Sequence, residues 1–210
     1  MQQKIYFEVF LKPFKEFFQK YKNLIISISA TISAVFLVVI LLIVRSHKAN
    51  EYFLQRITVA ENSLYSKKFE EGYKVLDEII STYKKTKYAA IAMYIKATYL
   101  YDSKDFETVK NLCLEILKIK KPKSIIVPTM YILGLCHFNL SNFNEAIKIF
   151  DEIIKKYPDH FYTPRIYETM ALCYEAKGDQ QNAKAIYEKM NILYPGSYWS
   201  NISQNKINTK

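Results

Sequence analysis

The sequence predicts an all-α protein: a transmembrane helix near the N-terminus, then an α-solenoid of four helical hairpins and a C-terminal cap. Three observations predict it. Side chains recur at a period of 37 residues, which is the mark of stacked helical hairpins. Phe69, Phe106 and Phe143 keep that period, as do the small residues Ala60, Ala97, Gly134 and Ala171. Gly72, Val109, Ala146 and Ala183 repeat it, followed four residues later by Leu76, Cys113, Phe150 and Tyr187. The second observation is an apolar run, Leu24 to Val44, of 21 residues without charge, Pro or Gly. The third is the placing of breakers: turn-forming residues and prolines fall where such hairpins have to reverse.

Residues 1–23 form a basic segment. Phe7, Phe10, Leu11, Phe14, Phe17, Phe18 and Tyr21 recur at steps of three and four with lysines between them, so one apolar and one cationic face result. The pattern predicts an amphipathic juxtamembrane helix, starting anew near Pro13 and lying on anionic headgroups. A docking helix for a cytoplasmic or intramembrane partner is the alternative.

Residues 24–44 suffice to cross the hydrocarbon core at 1.5 Å per residue, about 30 Å. The run exceeds the apolar core of a cleaved signal peptide, and Val44-Arg45-Ser46-His47 offers no small-residue cleavage site. An uncleaved anchor is therefore expected. Lys4, Lys12, Lys15, Lys20 and Lys22 precede it, against Arg45, Lys48 and Arg56 after it. Five against three predicts a cytoplasmic N-terminus and repeats on the other, periplasmic side.

Residues 51–195 hold the repeats, with hairpins expected at 51–83, 87–120, 126–157 and 164–194. Small residues recur because two helix axes approach closest where side chains are small. The bulky residue four positions on lies on the same face one turn later and fills the gap to the neighbouring hairpin. Ser66-Lys67-Lys68, Ser103-Lys104-Asp105, Leu140-Ser141-Asn142 and Lys177-Gly178-Asp179 supply the turns inside the hairpins. Pro158 and Pro195 stop second helices. Residues 196–210 are the cap and tail, with Trp199 and Ile202 expected over the last apolar face.

Charge excludes some functions. The chain carries +10; residues 1–50 hold seven basic and two acidic residues, leaving 23 and 18 for the rest. Nucleic acid binding needs a basic stripe, yet in the repeats only Lys118, Lys120, Lys121 and Lys123 cluster. They sit at a predicted helix C-terminus, where cations complement the helix dipole. Cys113, Cys136 and Cys173 occupy apolar repeat positions, and their odd number and spacing argue against a disulfide framework or zinc site. They read as buried small hydrophobes, with a Cys136–Cys173 bridge the alternative in an oxidising compartment. His47, His137 and His160 are scattered. No catalytic constellation, cofactor, metal or small-molecule substrate is expected.

Leu133-Gly134, Phe138, Ala146, Phe150 and Pro158 resemble the tetratricopeptide repeat pattern of Leu-Gly, aromatic, Ala, Phe and Pro, and Met170-Ala171, Tyr174, Ala183, Tyr187 and Pro195 resemble it again. The first two repeats depart from it: Gly72 and Val109 replace Ala, and Lys84 and Lys121 replace Pro. The repeat is three residues longer than the usual one, the extra length falling in Asp159 to Thr163, as in bacterial envelope proteins of this superfamily. The resemblance implies a concave groove lined by the first helix of each pair, and hence protein partners. Carried over position by position, it implies Ile57, Leu64, Tyr94, Thr98, Tyr101, Tyr131, Leu135, Phe138, Arg165 and Glu168 as the protein-binding groove. The aromatics among them suit an extended or helical apolar segment; packing against neighbouring helices is the other use for them.

A lysine-bearing N-terminus, one span, degenerate hairpins and the close at Lys206-Ile207-Asn208 resemble the ancillary subunit of the bacterial SecYEG translocon. That implies an inner-membrane scaffold whose periplasmic repeats meet translocon subunits, a periplasmic chaperone or envelope clients. The membrane lipid would be contacted through Leu24–Val44 and the Lys-rich N-terminus. The aromatic N-terminal segment and the well-formed later repeats depart from that family. A scaffold of another envelope complex, for cell division, outer-membrane assembly or polysaccharide export, is the alternative.

Overall fold

A computed structural model describes the backbone of residues 2–208 and the side chains of residues 13, 15–17 and 19–208. The regular structure among the described residues is all helical, with no strand, and the chain falls into two compact units, residues 1–54 and 55–210.

The first unit is built on α1 (Gln2–Tyr65), whose C-terminal end runs on into the second unit. Pro13 lies inside the helix, and the one non-helical residue is Tyr21 (φ −109°, ψ 15°). The helix thus does not start anew at Pro13, which forfeits one donor without ending it. The amphipathic stripe rests largely on side chains outside the described residues. Of it, Phe17 and Tyr21 lie 4.9 Å apart between ring centroids, with Lys20 over the Tyr21 ring. No residue from Leu24 to Val44 is buried, and the helix is long and apolar enough to cross a membrane.

The second unit is an α-solenoid of four hairpins. The end of α1 pairs with α2 (Phe69–Thr82), α3 (Lys87–Asp102) with α4 (Phe106–Ile119), α5 (Ile126–Asn139) with α6 (Phe143–Lys156), and α7 (Thr163–Ala176) with α8 (Gln180–Leu193). A 3-10 turn, Lys123–Ile125, leads into α5, and α9 (Tyr198–Asn208) follows α8. The second helices all have 14 residues and begin 37 residues apart. All four intra-hairpin turns share two backbone bonds. The N–H groups of Lys68, Asp105, Asn142 and Asp179 reach back five residues, and those of Lys67, Lys104, Ser141 and Gly178 reach back three. This paired closure is the Schellman motif, and it satisfies carbonyls the helix end leaves open.

The periodic columns are the core. Ala60, Ala97 and Ala171 are fully buried and Gly134 is buried. So are Leu76, Cys113, Phe150 and Tyr187, and a turn further on Ile79, Ile116, Ile153 and Met190. Trp199 packs from α9 onto Tyr167, Ala171, Ala183, Tyr187 and Met190. Ile207 accompanies it there, while Ile202, expected in that place, is half-buried outside this cluster.

Candidate protein-binding face

Consecutive first helices touch one another, α3 with α5, α5 with α7 and α7 with α9, whereas the second helices make no comparable contact. The first helices therefore line the inner curve of the stack. Sequence follows from that placing. In α3 and α5 apolar residues occur on nearly every face, and α5 carries no Lys, Arg, Asp or Glu, because each is covered by its own partner, the preceding second helix and the next first helix. Only the inward strip is left open.

On that strip the structure separates the ten residues. Ile57 and Leu64 are buried within the first hairpin. Tyr131 is buried too: its ring lies 5.2 Å from Tyr162 and 6.0 Å from Phe150, and its hydroxyl is 3.3 Å from the Thr169 hydroxyl. Tyr101 and Phe138 are half-buried and close the intra-hairpin turns, Tyr101 edge-on to Phe106 at 5.3 Å and Phe138 tilted on Phe143 at 5.7 Å. The Tyr101 hydroxyl also accepts a hydrogen bond from Asn139 Nδ2 at 2.9 Å, tying α3 to α5. Tyr94, Thr98 and Leu135 are half-exposed along the strip, Arg165 is exposed, and Glu168 is half-exposed one turn after it.

Burial and neighbouring charges shift several of these groups. Burial pushes the Tyr94 hydroxyl pKa up, and Tyr162 adds to the rise. Burial likewise raises Tyr131; Thr169 and Arg165 oppose this, and Tyr101 and Glu168 add to it. Burial raises the Glu168 carboxyl, against the pull of Arg165 and Lys206. Tyr131, packed on Tyr162, thus feels both Arg165 and Glu168, and Tyr94 feels Tyr162, whereas Ile57 and Leu64 are buried in the first hairpin. The surface is an aromatic strip ending in one cation and one weakened acid.

Tyr162 was missed by repeat position because it lies in the loop before α7, outside the helical columns. There His160, Phe161 and Tyr162 stack on one another, with centroids 4.4 to 5.6 Å apart. The run of three ring-bearing residues in the lengthened loop is the signal that could have found it.

The three cysteines are free and buried. Burial pushes each thiol up to about 12, so they are not nucleophiles at neutral pH. Cys113 and Cys136 share one core cluster, and Cys173 belongs to another. Among the described residues no three His, Cys, Asp or Glu side chains converge as metal ligands do.

The tetratricopeptide repeat family model matches residues 129–160 and 169–197. No curated protein sequence matches the chain. A kinesin-light-chain-like protein of Podospora anserina, built of nearly identical TPR-like repeats, superposes with a TM-score of 0.60 at 11% identity, over 74% of this chain and 83% of that one. A crystal structure of MamA gives 0.58 at 14% identity over 71% and 80%, and MamA of strain AMB-1 gives 0.54 at 17% over 70% and 75%. These likenesses show the fold: a TPR-like α-solenoid. The repeat match over the last two hairpins implies a protein–protein interaction scaffold.

Proposed function

We infer that this chain is a membrane-anchored interaction scaffold with its repeats in the periplasm of a bacterium. There it assists the secretion translocon or the chaperoning of envelope proteins. The observation that carries this reading is the unburied, uncharged helical run Leu24–Val44 on the same chain as the repeats. A helix apolar all round needs a lipid or protein surface, and 21 residues match a bilayer. The denser lysines before the run support a cytoplasmic N-terminus. The resemblance to the ancillary translocon subunit supplies the partner class. Holding the module beside its partner raises its effective concentration, so a weak aromatic strip suffices for capture.

Protease treatment of intact spheroplasts, read with an antibody to the C-terminal tail, tests the side. Digestion supports the periplasmic reading; protection relieved only by lysis overturns it. Photocrosslinkers at Tyr94 and Leu135, both open on the strip, then test the partner. Capture of translocon subunits or a periplasmic chaperone supports the assignment. Reproducible capture of a different envelope complex replaces it with a scaffold of that machine.

A further inference from the structure

Four loops join each hairpin to the next or to α9, and by the up-and-down order of the helices all lie at one edge of the stack, opposite the intra-hairpin turns. The two edges differ in charge. Residues 83–87, 118–125, 155–162 and 194–197 hold nine lysines and a single acid, Asp159. Residues 66–71, 102–107, 140–145 and 177–182 hold four lysines and seven carboxylates. No acidic residue occurs between Glu78 and Asp102, or between Glu115 and Glu145, the two stretches that contain the first two loops.

The helix dipole accounts for Lys118, in the last turn of α4, but not for Lys121 and Lys123 beyond it. Nor are these lysines used by the fold. Lys118, Lys155 and Lys156 are held by Glu115, Asp151 and Glu152 of their own helices. Among the described residues, Lys84, Lys85, Lys120, Lys121 and Lys123 are exposed and enter no ion pair.

The same edge exposes rings. Phe161 is 77% and Tyr198 70% accessible, with Tyr157 and Leu193 also exposed. Phe161 stacks on His160 at 4.5 Å and lies tilted against Tyr162 at 4.4 Å. Beside Tyr157 a cleft of about 630 Å³ is lined by Lys120 and Lys123, with Leu117, Ile126, Met130 and Ile149 also in its walls. Unpaired lysines interleaved with exposed rings match the chemistry of a membrane–water interface. An acidic protein would answer the charge but gives no reason for the outward rings.

We propose that this edge of the repeat domain docks on an anionic phospholipid surface, its lysines on headgroup phosphates and Phe161 and Tyr198 in the interfacial layer. The proposal rests on reading Leu24–Val44 as an anchor. Residues 45–54, helical within α1, then form the whole link to the domain, about 15 Å at 1.5 Å per residue, so the edge meets the bilayer at high effective concentration. Each lysine near an anionic surface adds about a fivefold preference, and salt removes it.

The full chain in nanodiscs, either zwitterionic or containing phosphatidylglycerol, is the test, read by amide hydrogen exchange. Anionic lipid is expected to slow exchange in residues 83–87 and 119–125 by about fivefold or more, with added salt reversing the effect. The variant Lys84→Gln, Lys121→Gln, Lys123→Gln, which leaves the left-handed Lys85 and Lys120 in place, is expected to lose the slowing while exchange in α5 and α7 is unchanged. Equal exchange in the two nanodiscs overturns the proposal, as does slowing that survives salt and the substitutions. A chain that enters neither nanodisc and is released from native membranes by alkaline carbonate overturns the anchor reading, and this inference with it.

Discussion

Lys67, Lys104, Ser141 and Gly178 all adopt positive φ, between 60° and 77°, at the same position of the four intra-hairpin turns. Only the last is the residue that conformation favours; a side chain there costs about 1–2 kcal/mol. The next position caps the second helix. Asp105 and Asp179 accept the backbone N–H of Thr108 and Asn182 at 3.3 and 3.1 Å, whereas Lys68 and Asn142 give no side-chain cap. Copying the fourth turn into the first, Lys67→Gly with Lys68→Asp, is expected to stabilise the repeats by about 1–2 kcal/mol, and Gly178→Ala to destabilise them by about 1. Thermal unfolding checks both, and a lower midpoint for the double variant would refute the turn argument. The thiols give a second residue-scale prediction. With each native thiol pushed up to about 12 by burial, its thiolate at pH 8 is on the order of a thousandfold scarcer than that of an exposed cysteine. Native protein should leave an aromatic disulfide reagent unreacted at that pH, while denatured protein titrates all three cysteines. The linkage has a sign. Between about pH 9 and 12 the unfolded chain binds fewer protons than the native one, so stability falls as pH rises through that window.

Helix pairing was legible because close approach of two axes is a demand that only small side chains meet. The 37-residue columns therefore announced the hairpins before any propensity argument. Gln180 shows what the periodic phenylalanine did not reveal: the fourth second helix starts in register without the ring, behind the Asp179 cap. The 3-10 turn at Lys123–Ile125 and the break at Tyr21 had no such signal, since neither recurs. One column carries a size exchange. At Gly134 an added Cβ would overlap the Phe150 ring, whereas the other three hairpins pair Ala with Leu76, Cys113 or Tyr187. Elsewhere Gly→Ala in a helix gains about 1 kcal/mol. Here the ring is fully buried among Tyr131, Ile153 and Ile166 and cannot swing away. Gly134→Ala is expected to cost about 1–3 kcal/mol instead. In the Phe150→Leu background the same change should cost at least about 1 kcal/mol less, a coupling that a double-mutant cycle in denaturant measures. Additive effects would mean that the overlap is relieved by backbone movement.

Across the repeat domain, the site was less legible than the fold. Repeat position names the helix face, but burial depends on what neighbouring segments lay over it. The three-residue extension lays Tyr162 over Tyr131, which no periodic column records. Leu64, Tyr101 and Phe138 share one column, yet Leu64 is closed off while the two rings brace turns. The same nearest-neighbour logic governs stability, because each hairpin is covered only by the one on either side. At the C-terminal end α9 does that covering. It lays Trp199 and Ile207 on the α7–α8 core, and Lys206 bonds Glu175 at 2.9 Å, which also accepts the Tyr187 hydroxyl at 3.2 Å. The ion pair is partly solvated, so Lys206→Gln should change stability by less than about 1 kcal/mol. The apolar cover is the larger part. Ending the chain after Gly196 should speed amide exchange throughout α8 and in the C-terminal half of α7, where Tyr187, Met190 and Ala171 lose their lid, while α3 and α5 keep their protection. Uniform loosening of all four hairpins would show one all-or-none unit in place of a stack. Unchanged exchange in α8 would show that the fourth hairpin needs no cap.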